Sequence, residues 1–299
     1  MRVGFIGGSG IYEALPLTDT REQSVETPFG EPSAPITIGQ LEGTDREVAF
    51  IPRHGRNHEY SPTTSPYRAN VFALKTLGVE CILSSNAVGS LQEEFPPRTL
   101  VIPDQAIDRT RHRPFTFFDE GLVVHMPFAS PYSPELSAHL AESARTVLDE
   151  DGPDHDEVGI DHDGDVVEGG TYVCIEGPQY STKAESEWFR DQGWEIIGMT
   201  TIPEAKLARE AELPYATITG VTDWGVWKGE NENRLQEVLE NADRNQDAIK
   251  ATVEHAVRTL PEDAEYAAEN ALEGTINTPS AAIPGEVKTK LEPLLGKYV

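Results

Sequence analysis

The sequence of 299 residues predicts an α/β protein, a single domain with a central mixed, mainly parallel sheet flanked by helices. Two observations lead to this prediction. Short apolar runs of strand length alternate with longer segments whose apolar residues recur at helical spacing. No linker rich in Pro, Gly or Ser divides the chain and no internal repeat interrupts it, so we expect one domain over residues 1–299.

Strands and helices are predicted in alternation along the chain. Each predicted strand is a short apolar run, and each predicted helix places its apolar residues three or four positions apart. The helix at 136–148 also follows Pro134, a residue well tolerated in the first helical turn. Strands are expected at 3–7, 48–51, 81–83, 100–102, 122–124, 172–175, 196–197 and 215–221, and helices at 67–77, 136–148, 183–192, 203–212 and 233–259.

Two segments do not follow this pattern. Residues 149–168 are dominated by Asp, Glu, His and Gly and include the letters DHDGD at 161–165. Alternating carboxylates can bind calcium, but the segment lacks the Glu found at the twelfth position of an EF-hand, so we expect an acidic surface loop. The C-terminal tail from about residue 261 is weakly patterned and receives no assignment.

The net charge of −27 is the most unusual bulk property. Asp and Glu number 51 against 24 Lys and Arg, and only eight of these cations are Lys. At molar salt the Debye length falls to about 3 Å, which removes most of the repulsion between surface carboxylates. Because the acids are spread along the chain, we favour adaptation to a high-salt cytosol over a surface that binds a basic partner. Nucleic-acid binding is disfavoured, since phosphate backbones would be repelled.

The chain shows no pattern of export or membrane insertion. No run of uncharged apolar residues approaches the length of a membrane span, and residues 1–6 lead into a strand-like run without a signal-peptide cleavage pattern. Cys81 and Cys174 lie within apolar runs, which favours two buried thiols in a reducing compartment over a disulfide. We therefore expect a cytoplasmic protein without membrane contact.

A Gly-Gly-Ser-Gly turn at residues 7–10 follows the first predicted strand. Glycines let backbone N–H groups approach an anion closely, and Ser9 adds a hydroxyl donor. The turn is neither a P-loop, because no Lys-Ser/Thr follows, nor a GxGxxG fingerprint, because Glu13 stands where the third glycine belongs. Taken alone, the Gly-Gly-Ser-Gly sequence is explained at least as well by an ordinary tight turn that binds no anion.

The letters RHGRNH at residues 53–58 directly follow another predicted strand, where α/β sheets place ligands. In a chain so poor in cations, two Arg and two His within six residues favour an anion site. The rival interpretation is a metal site at His54 and His58. It is disfavoured because neither a Glu-x-x-His pattern nor a third ligand is evident.

Polar clusters also follow other predicted strands. Residues 84–90 (SSNAVGS) are predicted to form a turn in which backbone N–H groups and Asn86 bind the same ligand. An ordinary strand-to-loop turn that binds no ligand is an equally good explanation. Glu176 to Tyr180 place an aromatic ring, suitable for stacking on a flat base, beside a Gly-Pro turn. Residues 199–201 and 222–224 end two further strands in the same way. Together with residues 7–10 and 53–58, these clusters predict one shared crevice.

Eight blocks of the sequence form a recognisable combination: GGSGIY, TPFGEPS, RHGRNH, NAVGSL, IDRT, EGPQYSTKAE, GMTTIPEAKLARE and TDWGVW. Together they resemble the trimeric purine nucleoside phosphorylase family, and in particular its 5′-methylthioadenosine phosphorylase branch. The blocks run in family order from residue 4 to about residue 228, whereas the acidic loop and the tail are not covered.

The resemblance implies a purine nucleoside phosphorylase-like domain that assembles as a homotrimer or a dimer of trimers. It implies no cofactor and no metal, with inorganic phosphate as co-substrate. Phosphate would be bound by Ser9, Arg53, His54, Asn86, Ala87 and Thr200. The nucleoside would contact Ala87, Val88, Gly89, Tyr180, Ser181, Met199, Asp223 and Gly225, together with His125 of the neighbouring subunit. Asp223 would be the catalytic residue, since in protonated form it could donate to purine N7 as the glycosidic bond breaks.

The identity of the purine is left open by three positions. The 6-oxopurine branch has Glu directly after the stacking aromatic and Asn as its N7 reader, whereas this chain has Ser181 and Asp223. Both residues favour a 6-aminopurine. The methylthioadenosine branch commonly has TDYD, however, and Gly225 replaces the second carboxylate here. The expected activity is therefore phosphorolysis of 5′-methylthioadenosine, with inosine, guanosine or 5′-methylthioinosine as alternative substrates. A water-using nucleosidase and a non-catalytic nucleoside-binding protein are the rival classes.

Overall fold

The computed structural model describes residues 1–11, 13, 15–149, 162–229, 234–262 and 264–299. Most of the predicted acidic loop, residues 150–161, lies outside the described residues, as does residue 233 at the start of a predicted helix. The described residues Val166–Glu168, at the end of the predicted loop, form a strand.

The described strands form one mixed sheet. In chain order they are β1 (Arg2–Gly7), β2 (Leu17–Gln23), β3 (Ile36–Leu41), β4 (Glu47–Pro52), β5 (Cys81–Ser90), β6 (Leu100–Ile102), β7 (Gln105–Arg109), β8 (Val166–Glu168), β9 (Thr171–Ile175), β10 (Ile196–Gly198) and β11 (Tyr215–Asp223). One path through the sheet runs β2-β3-β4-β1-β5-β10-β9-β7, and β11 branches from β5 and continues to β6 and β8. Six of these pairings are parallel and four antiparallel, which confirms the predicted fold class.

Helices flank the sheet. They are α1 (Tyr67–Thr76), α2 (Pro134–Leu148), α3 (Lys183–Asp191), α4 (Thr201–Glu210), α5 (Arg234–Thr259), α6 (Gly285–Lys290) and α7 (Glu292–Leu295), with short 3-10 turns at Val226–Lys228, Ala267–Asn270 and Ser280–Ala282. Pro134 occupies the first turn of α2, as predicted. At α3 a capping box fixes the start, because the Thr182 hydroxyl accepts from the Glu185 N–H and the Glu185 carboxylate accepts from the Thr182 N–H.

Two apolar layers cover the two faces of the sheet. The alternation of side chains along each strand sends Val3 and Phe5 of β1 to one face and Ile6 to the other. The first face packs against α2 and α5, and the second against α1, α4 and the C-terminal helices α6 and α7. Both Cys81 and Cys174 are buried free thiols. Within the described ranges, no helix is long and apolar enough to cross a membrane.

Two predicted features are wrong. Residues 84–90 are not a turn, because they continue β5, which pairs with β1, β11 and β10. Residues 122–124 are not a strand. Their pairing is an isolated bridge between Val124 and Ile276. The tail, which received no assignment, packs α6 and α7 onto the core through Val287, Leu291 and Leu295.

Candidate active site

The carboxyl-terminal half of β5 is the centre of the candidate site. Three strands meet at Gly89, which pairs with Asp223 of β11 on one side and with Ile197 of β10 on the other. Met199 and Thr200 directly follow β10. The strand that was mistaken for a turn therefore brings the predicted sugar, phosphate and purine residues together.

Asn86 links β5 to β11 and to the start of α4. Its side-chain nitrogen donates to the Thr217 hydroxyl over 2.6 Å, which fixes the orientation of the amide. Its side-chain oxygen accepts a hydrogen bond from the Thr200 hydroxyl. The Thr200 N–H in turn faces the Tyr172 hydroxyl at 3.4 Å. Two residues of the predicted phosphate site are thus in direct contact.

The glycine turn after β1 lies against β5. The Gly8 N–H donates to the Ser85 hydroxyl over 3.0 Å. A Cβ atom at Gly8 would lie 2.3 Å from the Ser85 carbonyl oxygen and 3.0 Å from Nη1 of Arg53, so only glycine permits this approach. Ser9 is exposed at the tip of the turn.

A narrow pocket opens between the glycine turn, β5, β11 and α5. Its walls are formed by three residues of the predicted phosphate site and by polar side chains of β11 and α5. The main lining residues are Ser9, Asn86, Ala87, Thr222, Asn245 and Gln246. Asn245 also donates to the Val221 carbonyl over 3.0 Å, which ties α5 to the end of β11.

The Arg53 side chain is fully buried beside this pocket. It forms a bidentate ion pair with Glu204, in which Nε and Nη2 each lie 2.8 Å from a carboxylate oxygen. Nη1 donates to the Ser85 carbonyl over 2.9 Å. Burial alone would lower the pKa of Arg53, but the Glu204 carboxylate raises it, so the guanidinium stays charged. The pair holds this charge directly beneath the Gly8 turn.

His54 is buried next to Arg53 and is held in one tautomer. Its Nδ1 lies 2.8 Å from the Tyr60 carbonyl, which can only accept, so Nδ1 carries the proton. Burial, together with the positive charge of Arg53, lowers the pKa of His54 to about 3. The ring is therefore neutral at physiological pH, and its Nε2 is free to act as an acceptor of a phosphate O–H in this tautomer. The His58 ring stacks on it at 4.6 Å.

Asp223 ends β11 with its carboxylate fixed by neighbours. Oδ1 accepts from the Gly225 N–H over 2.8 Å, and Oδ2 accepts from the Thr222 hydroxyl over 3.0 Å. Gly225 has a φ of 65°, and a Cβ atom there would lie 2.9 Å from the Ser90 carbonyl oxygen. A side chain at this position would therefore clash in the conformation that this backbone adopts.

The predicted nucleoside residues Met199, Tyr180 and Ser181 lie after β10 and β9. A Cβ atom at Gly177 would lie 2.5 Å from the Met199 sulfur, so the Met199 side chain packs directly on the loop that carries Tyr180. The Tyr180 ring is 60% exposed, and Ser181 is half-buried. Val88 is buried, and its carbonyl oxygen lies 3.2 Å from the Thr222 hydroxyl oxygen.

His125 stands apart from these residues within the chain. It is exposed, and its N–H donates to the Thr275 carbonyl over 3.0 Å. Its predicted contact with a neighbouring subunit stays a prediction.

Sequence reasoning missed two residues of the site, Glu204 and Arg113. Glu204 carried a signal, because it precedes Leu207 and Ala208 by three and four positions and so lies on the buried face of α4. Arg113 carried no comparable signal, since its partners lie between 46 and 89 residues away in sequence.

In the described parts of the chain, no three His, Cys, Asp or Glu side chains are grouped so as to bind a metal ion.

Known proteins provide an independent comparison. A model of the phosphorylase superfamily matches residues 2–258. The S-methyl-5′-thioadenosine phosphorylase of Gloeobacter violaceus is 44% identical over 99% of this chain and 96% of its own length. The enzyme of the same name from Chloroflexus aurantiacus is 45% identical over 99% of this chain and 98% of its own length.

Solved structures agree with the sequence relatives. The crystal structure of a methylthioadenosine phosphorylase from an antarctic soil metagenomic library matches with a TM-score of 0.84 and 44% identity, covering 98% of each chain. The apo methylthioadenosine phosphorylase of Schistosoma mansoni matches with a TM-score of 0.74 and 34% identity, over 86% of this chain and 90% of that chain. The chain therefore belongs to the phosphorylase superfamily and, within it, to the methylthioadenosine phosphorylase branch.

Proposed function

We propose that this chain is a pentosyltransferase that splits 5′-methylthioadenosine with inorganic phosphate into adenine and 5-methylthioribose 1-phosphate. One observation carries the proposal. Along β5, Asn86 contacts the phosphate-site residue Thr200, and Gly89, three residues later, pairs with Asp223. Groups suited to an anion and to a purine therefore stand at neighbouring positions of one strand. The names of the relatives support the same substrate.

The proposed chemistry transfers the sugar from purine to phosphate. A phosphate oxygen forms a bond to the anomeric carbon as the bond from that carbon to N9 of the purine breaks. Positive charge develops on the sugar and negative charge on the purine. The buried Arg53–Glu204 pair supplies a fixed guanidinium beneath the anion site, and Nε2 of His54 accepts from a protonated phosphate oxygen. Asp223 is the proposed general acid, which supplies the proton at N7 that the leaving purine carries away. The proposal involves no metal and no cofactor.

A second candidate is the phosphorolysis of 6-oxopurine nucleosides or 5′-methylthioinosine. Gly225 is the observation that favours it, because the close approach to Ser90 excludes the second carboxylate that would help to read a 6-amino group. Ser181 and Asp223 favour the 6-aminopurine.

Initial rates on methylthioadenosine, methylthioinosine, inosine and guanosine, with and without phosphate in molar KCl, test both candidates. We expect methylthioadenosine to be cleaved fastest and only when phosphate is present. The Asp223→Asn variant should lose this activity on the order of 100-fold or more, as expected for removal of a general acid. Asp119→Asn, which alters an exposed carboxylate paired with Arg68, is the matched control and should leave the rate unchanged. Cleavage without phosphate, or no turnover of methylthioadenosine, would contradict the proposal.

We also propose that the chain works as a homotrimer or a dimer of trimers in a high-salt cytosol. The net charge of −27 and the scarcity of Lys support the high-salt part of the proposal. The exposed position of His125, which the family resemblance assigns to the site of a neighbouring subunit, supports the oligomer.

A further inference from the structure

Arg113 is a buried cation that the proposed chemistry does not use. In sequence it lies between β7 and α2, and the residue is only 5% exposed. Its guanidinium donates to four backbone carbonyls, at Ile202 over 2.7 Å, at Ile175 over 3.2 Å, and at Glu176 and Met199. Nε also lies 3.1 Å from the Glu176 carboxylate. A single side chain thus joins the ends of β9 and β10 to the start of α4.

Glu176 receives further donors from the segment that carries Arg113. Its carboxylate accepts from the N–H groups of Arg111 and His112 and, over 2.8 Å, from the Thr63 hydroxyl. Although burial opposes ionisation, these donors and Arg113 lower the pKa of Glu176 to about 2, so the carboxylate is ionised at any working pH. The base of the Tyr180 loop is therefore fixed by a charged, multiply bonded anchor.

The bonds of Arg113 end on both walls of the predicted nucleoside site. Met199 stands on the sugar side, and Glu176 begins the loop that carries Tyr180. These two walls also touch each other, since the Met199 sulfur packs against Gly177. The phosphate side has further bonds of its own, the Arg53–Glu204 pair and the Asn86–Thr200 contact. These bonds hold Thr200 in addition to those that Arg113 makes to the carbonyls of Met199 and Ile202.

We propose that Arg113 is a positioning residue for nucleoside binding, which sets the spacing between Met199 and the Tyr180 loop. This inference rests on the proposed function. Arg113 acts through the two walls and not by touching the substrate. Lys cannot replace it, because a single ammonium cannot reach carbonyls on three segments in the plane that a guanidinium spans. Loss of Arg113 should therefore weaken nucleoside binding and leave phosphate binding nearly unchanged.

The test compares Arg113→Lys with the wild-type protein in molar KCl. We expect the KM for methylthioadenosine to rise about tenfold, which corresponds to about 1.4 kcal/mol. The KM for phosphate should change by less than about twofold, since its binding groups keep further bonds of their own. Calorimetric titration with adenine, and separately with inorganic phosphate, should show the same division without depending on turnover.

Arg46→Lys is the matched control, because Arg46 also bonds a distant backbone carbonyl, that of Leu260 over 2.6 Å, but lies away from the site. It should lower the unfolding temperature without changing either KM. If Arg113→Lys does not fold, Glu176→Gln weakens the same anchor from the other side and should raise the nucleoside KM in the same direction. Equal shifts in both KM values, or a lowered unfolding temperature with unchanged KM values, would overturn the inference. Wild-type protein that cleaves no methylthioadenosine would instead refute the proposed function.

Discussion

Glu204 determines where the positive charge of Arg53 stands. Both carboxylate oxygens accept from the guanidinium, and the Tyr215 hydroxyl donates to one of them over 2.8 Å. The Tyr215 hydroxyl also lies 2.7 Å from that of Ser84 on β5. A buried ion pair of this kind is costly to break from one side, because the remaining charge stays buried without its partner.

Replacing Glu204 with Gln should therefore destabilise the protein by about 3–5 kcal/mol, the usual cost of removing one member of a buried ion pair. It should also raise the KM for phosphate, because the guanidinium is no longer held beneath the Gly8 turn. Urea unfolding and phosphate kinetics measure the two effects. Glu47→Gln is the control, since Glu47 is partly exposed in its pairs with Arg2 and Arg21 and should cost about 1 kcal/mol or less. Equal losses for the two variants would contradict this role of Glu204.

At this scale the sequence predicted residue types better than partners. The glycine turn and the cluster at Arg53 were identified because a chain poor in cations makes them conspicuous. Glu204, which holds Arg53 in place, lies 151 residues further along the chain, and no local pattern connects the two. The neutral state of His54 was equally inaccessible, because it depends on burial and on the Tyr60 carbonyl.

Among the elements, β5 shows why local propensity misled the prediction. Ser84 to Ser90 contain small polar residues and a glycine, which are poor strand formers on their own. Neighbouring strands on both sides supply the backbone partners, and Thr217 and Tyr215 of β11 bond the Asn86 and Ser84 side chains. At residues 122–124 the error was the opposite one, because a strand was predicted where the structure has none. They are apolar, but their partner is the short stretch at Thr275 and Asn277, in a tail that received no assignment.

The C-terminal end of α4 carries a buried carboxyl group, that of Glu210. It accepts from the Thr116 hydroxyl and the Phe117 N–H, each over 2.7 Å, and so fastens the segment after Arg113 to α4. Burial raises the pKa of Glu210 to about 7, and the charged groups facing it are Asp119 and Arg68, which pair with each other. The protonated form is therefore favoured in the folded protein relative to the unfolded chain.

This shift makes stability depend on pH. Because the folded-state pKa lies above the unfolded value of 4.5, the contribution of Glu210 is complete below pH 4.5 and is lost as the pH rises to about 7. Relative to Glu210→Gln, which can still bond Thr116 and Phe117, the wild-type protein should lose roughly 1–3 kcal/mol of stability over this range. Urea unfolding at several pH values measures the difference. Glu142 is exposed, so the Glu142→Gln variant is the control and its stability should depend on pH as that of the wild-type protein does. If the stability of Glu210→Gln also showed the wild-type dependence on pH, the raised pKa of Glu210 would be refuted.

The whole molecule assembles the site from distant parts of the chain. Its parts span more than 200 residues of sequence, and the branched sheet brings them to one edge. These parts are the glycine turn, the cluster at Arg53, β5, β10 and β11. The alternation of apolar runs was enough to predict this class of sheet. It could not predict the branch at β5, which depends on which strands pair.

The surface charge gives the last prediction. If the carboxylates are adapted to salt, the unfolding temperature should rise steeply between about 0.1 and 1 M KCl, as the Debye length falls from about 10 to about 3 Å. Replacing the exposed Glu26, Glu31, Glu93 and Glu94 with Gln removes four charges and should make this rise smaller. Light scattering on the same samples should give, at molar KCl, three or six times the chain mass of 32.8 kDa. A salt-independent unfolding temperature would contradict the high-salt proposal, and a monomer at molar KCl would contradict the trimer.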